Sequence, residues 1–330
     1  MSAVRVRHGI SWFWVVVLLA AGALAAVTAW VLAGGINRGE ALKTGGLAAG
    51  SVVALYALWL NDRRRRVEEQ RQEIERQRHE LESARAEHDR ERVADERFAR
   101  AVELLGHEAD QVRVGALHAL AGLARSQERY TQIVLDVLCA YLRRPFDRPG
   151  PDDDGEGVRE QQVRVTAQRL IADLLPNVSD VDPQVYDLDL HGATLEYFDI
   201  SYRVVGQLRA RSTRLYESTS FRGMEVHGPA WFTGATCEGR LYAPDIVFHD
   251  RCWFSVFTAT DLVDFARAEF RSETKFANSC FNGPVTFEDA RFASTIDFSN
   301  VKVSLGHAHR LPAGCELDTT VSREFGLVRA

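Results

Sequence analysis

Apolar residues recur at steps of five and six along residues 221 to 303. Stepping by eleven from Phe221 reaches Phe232, Ala243, Phe254, Phe265, Phe276, Phe287 and Phe298, and stepping by eleven from Val226 reaches Cys237, Phe248, Ala259, Phe270, Phe281, Phe292 and Val303. All sixteen positions are apolar when Ala and Cys are counted, and eleven are Phe. An α-helix does not accommodate this pattern, because a five-residue step rotates roughly 140° and sends the two series to opposite sides. Gly283-Pro284 would also interrupt it. A continuous strand fails because five is odd and six is even, so the side chains would change face. A coil that turns a corner every five or six residues satisfies both steps. Two residues before each later Phe stand Val263, Ala268, Thr274, Ser279, Val285, Ala290 and Ile296. Period-two geometry predicts that these point inward together with the Phe, leaving the polar residues between them outside.

Nearer the N-terminus the period becomes helical. VRVGALHALAGLA (112 to 124) aligns with VRVTAQRLIADLL (163 to 175), matching Val112 with Val163, Arg113 with Arg164, Ala116 with Ala167 and Ala121 with Ala172. Apolar residues at intervals of three and four make each an amphipathic helix, with partner helices expected at 96 to 107 and 131 to 144. These helices resemble the second helix of HEAT or armadillo repeats. The intervening PFDRPGPDDDGEG is a loop, and Asp152, Asp153, Asp154 and Glu156 lack the alternating spacing of a calcium loop.

Residues 61 to 98 are strongly charged and free of Gly and Pro, with Glu three positions before Arg at Glu73 and Arg76, Glu75 and Arg78, Glu82 and Arg85, and Glu87 and Arg90. They predict a solvated helical stalk. A heptad line runs through Val67, Ile74, Leu81 and His88, but Arg71, Arg78 and Arg85 stand beside it, so a single-helix spacer and a weak coiled coil both remain open.

Residues 11 to 34 and 44 to 60 are uncharged apolar runs, of which the first has the length a membrane helix needs. Arg5 and Arg7 precede the first, Arg38 and Lys43 lie between, and Arg63, Arg64, Arg65 and Arg66 follow the second. Cations resist translocation, so the expectation is a membrane hairpin, N-in and C-in, in a bacterial inner membrane, with residues 61 to 330 cytoplasmic. A cleaved signal peptide ending near Ala23-Leu24-Ala25 is the competing reading. Gly46 and Gly50 form a GxxxG pair, which serves either hairpin packing or dimerisation.

The C-terminal repeat resembles the pentapeptide-repeat family. LDLHGATLEYFDIS (188 to 201) has the family's form through Ala193 and Leu195, and ARAEF, NSCFN and DARFA carry it later. The resemblance covers roughly Asp187 to Val303 and implies a right-handed quadrilateral β-helix. Two departures stand out: five plus six gives about 22 residues per coil where the family has 20, and residues 202 to 220 match poorly. The expected organisation is therefore α+β and multidomain: membrane hairpin 1–60, stalk 61–98, HEAT-like module 99–184, β-helix 185–303, and a cap or tail 304–330.

Composition adds little chemistry. The net charge of -6 over 330 residues is mild. Five cysteines without a CxxC suggest reduced thiols rather than a zinc module or disulfide framework. His307, His309 and Cys315 are too few and wrongly spaced for a structural zinc site, and they are expected to form a polar end cap. Gly39 to Thr44 lacks the glycine that a phosphate loop places before Lys43. No catalytic, cofactor-binding or metal-binding residue is assigned, and no cofactor is expected. The expected function is a membrane-tethered, non-enzymatic scaffold that binds protein partners through the β-helix and helical module, with a homodimer open through the stalk or Gly46 and Gly50. The family resemblance also implies an alternative, a DNA mimic acting on a type II topoisomerase. Against it, nucleic-acid-like surface charge is weak and Arg203, Arg209, Arg211 and Arg214 cluster in the repeat. An enzyme with a dispersed site is the third reading.

Overall fold

A computed structural model describes residues 12–32, 38–150, 155–320, 322 and 324–329. It divides into two compact units, Met1–Arg90 and Glu91–Ala330.

The first unit contains α1 (Trp12–Leu32) and most of α2 (Arg38–Leu104), whose 67 residues include no proline. Among the described residues no helix is long and apolar enough to cross a membrane. The expected two-span hairpin is therefore not supported. Residues 44 to 60 are an interior stretch of α2 rather than a helix of their own, and the stalk continues them without a break. Residues 11, 33 and 34 of the first expected span, together with Arg5 and Arg7, lie outside the described residues. Apolar side chains in this unit are uncovered: Leu19, Leu24, Val53, Leu55 and Leu58 are all exposed.

In the second unit the end of α2 packs with α3 (Asp110–Ser126), α4 (Thr131–Leu142) and α5 (Glu156–Leu174). α5 begins seven residues before the periodic segment at Val163, with Glu156 in its first turn, where a carboxylate complements the helix dipole. The sequence repeat is reproduced in packing. Ala116 and Ala167 are buried, as are Ala121 and Ala172, so neighbouring backbones approach closely. Residues 151 to 154 of the acidic loop lie outside the described residues.

From Leu188 the chain forms a β-solenoid of about five turns, built as four parallel sheets. Its first face stacks Leu188–Asp189, Leu208–Arg209, Ala230–Trp231, Cys252–Trp253, Thr274–Lys275 and Ile296–Asp297. The coil length is read from the register. Leu188 pairs with Leu208, twenty residues on, whereas Leu208 pairs with Ala230 and every later pair on this face is offset by 22. Residues 202 to 220 are thus regular, but on a plain five-residue step through Ile200, Val205, Ala210 and Leu215, all buried. The alternation of five and six starts only after Leu215.

Two kinds of corner explain that alternation. On the five-residue sides that begin with Phe, from Phe221 onward, the inward residue's carbonyl accepts from the N–H three residues later, as in Phe232 O from Ala235 N at 3.0 Å and Phe276 O from Ser279 N at 3.1 Å. The residue between sits at positive φ: Gly234, Asp245, Val256, Arg267, Asn278, Asp289 and Asn300 lie between 55° and 69°. This is a type II turn. The six-residue sides turn by other means, and there the coil beneath comes close: a Cβ on Gly239 would lie 1.7 Å from Glu217 O.

The inward prediction holds along the solenoid. Phe232, Phe254, Phe265, Phe270, Phe276 and Phe281 are all buried, as are Val263, Ala268, Thr274 and Ser279 beside them. Rings one coil apart stack: Phe232 on Phe254 at 4.4 Å and 1°, Phe254 on Phe276 at 5.1 Å and 4°, Phe276 on Phe298 at 5.3 Å and 11°. Such pairs contribute roughly 0.5–1.5 kcal/mol beyond area burial. Phe292 and Ile296 are only partly buried because they lie on the last strands of their sheets.

Helices cover the N-terminal end of the solenoid, and at the C-terminal end one of the four sheets is extended by an added strand, which reduces the open edge. At the C-terminal end Phe325–Arg329 pairs antiparallel with Lys302–Ser304. There His309 accepts from Val285 N at 3.3 Å and lies 2.6 Å from Ser304 O, consistent with an end cap. At the N-terminal end the helices dock. Gln132 bonds both the N–H and the C=O of Asp187, and Gln168 accepts from Glu196 N at 3.0 Å. Arg164, only 2% exposed, donates to Tyr141 O and Leu142 O at the end of α4 and reaches Thr194 O of the first coil. Glu160 lies between Arg164 and its repeat counterpart Arg113, and also accepts from Tyr141 at 3.0 Å. Burial lowers the Arg164 pKa, and burial followed by Glu160 pushes the Tyr141 hydroxyl up to about 12. Removing one member of such a buried charged network costs about 3–5 kcal/mol. Urea denaturation of the Arg164→Ala chain is accordingly expected to show a loss of that order, and a change under 1 kcal/mol would contradict this role for the junction.

Candidate functional site

With the apolar series turned inward, any recognition or chemistry on the solenoid has to use residues of its outer faces. Strand register sorts these into columns. On the first face one column reads Asp189, Arg209, Trp231, Trp253, Lys275 and Asp297. Each indole is flanked by cations: Arg209 and Arg211 lie 5.8 and 5.5 Å from the Trp231 ring, and Arg251 and Lys275 lie 5.9 and 5.1 Å from the Trp253 ring. These distances are within cation–π range. Among the described residues, Arg209, Arg211 and Arg251 form no ion pair, whereas Lys275 meets Glu273 at 3.0 Å. The Trp253 indole N–H is enclosed and has no acceptor. Two adjacent indoles bordered by unpaired guanidinium groups make a flat, amphipathic, cationic strip.

A second grouping lies on the outside of the face that stacks Glu225–Val226 under Val247–Phe248. Glu225, His227 and His249 bring ligand atoms within 4.8 Å of one another. Glu225 Oε2 is 3.1 Å from His249 Nε2 and 3.5 Å from His227 Nε2, and the two imidazoles are 4.5 Å apart. Two histidines and a carboxylate suit zinc, with further positions open. One neighbour opposes it. Arg271 Nη1 lies 3.2 Å from His249 Nδ1, and a guanidinium can only donate, so Nδ1 accepts and the ring hydrogen resides on Nε2. That nitrogen then donates to Glu225 and has no lone pair for a metal. Metal-ligating histidines ordinarily have an acceptor behind them, and here a donor stands in its place. Arg271 is also held by Glu269 at 2.9 Å. The sequence missed this grouping because His227 and His249 stand 22 residues apart. Only the coil length makes that spacing a contact.

Between α5 and the first coil lies a polar cleft of about 390 Å³ whose lining includes Arg169, Asp173, Asp199, Ser201 and Arg203. Asp199 accepts from both the N–H and the hydroxyl of Ser201, at 2.9 and 2.6 Å, and Arg203 donates to Leu175 O. Its lining contains no histidine or cysteine, so no nucleophile is paired with a nitrogen base there. Arg203 faces this cleft and Arg209 and Arg211 face the tryptophans, so this part of the arginine cluster is divided between surfaces.

The thiols are poorly suited to nucleophilic chemistry. Burial pushes Cys139 up to about 12 and Cys237 to about 11, and raises Cys252 well above the ordinary value. Their thiolate forms are scarce at neutral pH. Elsewhere the shifted groups are structural. The Arg267 hydrogen bond lowers Asp245, joining two positive-φ corners of successive coils through contacts of 2.6 and 2.7 Å.

No family model, no curated protein and no solved structure matches the chain.

The histidine grouping gives a prediction. Relieving the donor behind His249 by Arg271→Leu is expected to raise Zn²⁺ affinity at least tenfold, in line with the about 10–100-fold by which groups hydrogen-bonded to a metal's ligands change its affinity. Isothermal titration of zinc into both chains measures it, and equal affinities would show that Arg271 does not set the histidine tautomer.

Proposed function

We propose that the chain is a non-enzymatic scaffold, tethered to a bacterial inner membrane and engaging an acidic protein partner through the Trp231 and Trp253 strip. The observation that carries this reading is the strip itself: paired indoles with Arg209, Arg211 and Arg251 free of carboxylates. Trp and Arg are among the residues most enriched at binding hot spots. The solenoid is read as a pentapeptide-repeat β-helix on the strength of its four sheets and inward pairs, with a right-handed coil as in that family. The helices before it are read as HEAT-like. Extended repeat surfaces of this kind suit partner binding.

Support for the tether comes from the uncharged stretch Trp12–Leu32, from the exposed Leu19, Leu24, Val53, Leu55 and Leu58, and from the four arginines that follow at 63 to 66. Exposed apolar side chains in this number need cover, and lipid supplies it without a protein partner. Arginines concentrated on one side argue for N-in and C-in, which leaves the solenoid in the cytoplasm.

Proximity labelling from the full chain tests the reading. Trp231→Ala with Trp253→Ala is expected to remove a defined set of neighbours while leaving membrane fractionation unchanged. An identical neighbour set in the double variant would count decisively against this surface.

A further inference from the structure

Residues 61 to 90 of α2 are exposed along their whole length. Among them Val67, Ile74 and Leu81 repeat every seven residues at 46%, 63% and 58% exposure. A seven-residue step returns to nearly the same side of a helix, so these three form one uncovered apolar stripe. When they are placed at heptad position a, position d holds Gln70, Gln77 and Ala84, all uncharged. The flanking positions then separate by sign: e carries Arg71, Arg78 and Arg85, and g carries Glu73, Glu80 and Glu87.

That separation distinguishes the ways a second helix could cover the stripe. In a parallel pair, g of one helix faces e of the following heptad on the other. Glu73 then meets the partner's Arg78 and Glu80 meets the partner's Arg85, and two-fold symmetry makes each contact twice. In an antiparallel pair e faces e and g faces g, which sets Arg against Arg and Glu against Glu. We propose that this segment is a parallel, in-register, two-stranded coiled coil with a second copy of the chain. The like pair Arg66 and the partner's Arg71 marks the beginning of the coil, and Arg66 is neutralised on its own helix by Asp62 at 2.6 Å. Its other limit lies near Ala84, since farther along the same helix Ala94 and Ala101 are buried in the chain's own core. The inference is independent of the Trp231 and Trp253 strip and stands if that surface binds nothing.

The test uses the full chain. Sedimentation should give a dimer for the unaltered protein. Glu73→Arg with Glu80→Arg should weaken association at least tenfold, and so should Arg78→Glu with Arg85→Glu, because each chain then repels its own copy. An equimolar mixture of the two variants should restore the dimer, a result that misfolding cannot produce. Separately, Ile74→Cys should form a disulfide-linked dimer under mild oxidation, and Ser83→Cys, on the opposite side, should not exceed the background of the unaltered chain. A monomeric unaltered protein, failure of the mixture to recover, or equal cross-linking at positions 74 and 83 would each overturn the proposal.

Discussion

Everything in the solenoid depends on returning an inward pair of side chains to the same place after each circuit. A strand only two residues long gains little from its own hydrogen bonds, so the coil is held by what stacks above and below it. Phe254 illustrates this: it lies between Phe232 and Phe276 with ring planes within 4° of both, and meets Phe257 and Phe265 edge-on. A ladder of that kind tolerates no drift in register. The corners therefore have to be fixed, and the positive-φ residues fix them. Even Val256 adopts φ 57°, a conformation that costs a β-branched residue about 1–2 kcal/mol, because the coils on either side hold it there.

The other features follow from that constraint. A stack of rungs has two raw ends, and the chain covers one with helices and extends one sheet of the other with an antiparallel strand. The helical cover requires polar groups that match the exposed backbone of the first coil, which is why Gln132, Gln168 and Arg164 are directed at main-chain atoms. It also explains how the two sequence repeats came to share a carboxylate: Arg113 and Arg164 occupy equivalent positions on adjacent helices, and Glu160 is placed between them. Because the interior is filled by Phe, surface variation is confined to outward columns, and the Trp231 and Trp253 column is where that variation departs most from ordinary salt-bridged polarity.

Much of this was legible in the residues. The inward Phe series, the small residues two positions before them and the approximate coil length follow from period alone, since a corner every five or six residues is a strong geometric condition. The helices at 112 to 124 and 163 to 175 were legible for the same reason. The first coil was harder. Ala193 and Leu195 carried its family form, but its inward residues Leu190, Leu195, Ile200 and Val205 are aliphatics on a five-residue step, so a rule of eleven passes over its 20-residue length. The turn positions were hidden because Gly, Asp, Val, Arg and Asn all occupy them, so composition gives no signal where packing dictates φ. The Glu225, His227 and His249 grouping and the Trp column needed the register before they existed as neighbours. At the other end of the chain, residues 61 to 98 continue the helix that precedes them, as their charged, proline-free sequence suggests, whereas the expected two-span hairpin is not supported.

The most direct measurement of the central claim is a pair of deletions that differ only in phase. Removing residues 254 to 275 takes out one 22-residue circuit and joins Trp253 to Phe276, so every inward residue keeps its place. Removing residues 256 to 275 takes out twenty and shifts all later coils by two. The register predicts that the first chain keeps a cooperative thermal transition and the circular dichroism of a shortened solenoid, while the second loses both. Equal behaviour of the two chains would contradict a fold governed by a 22-residue return.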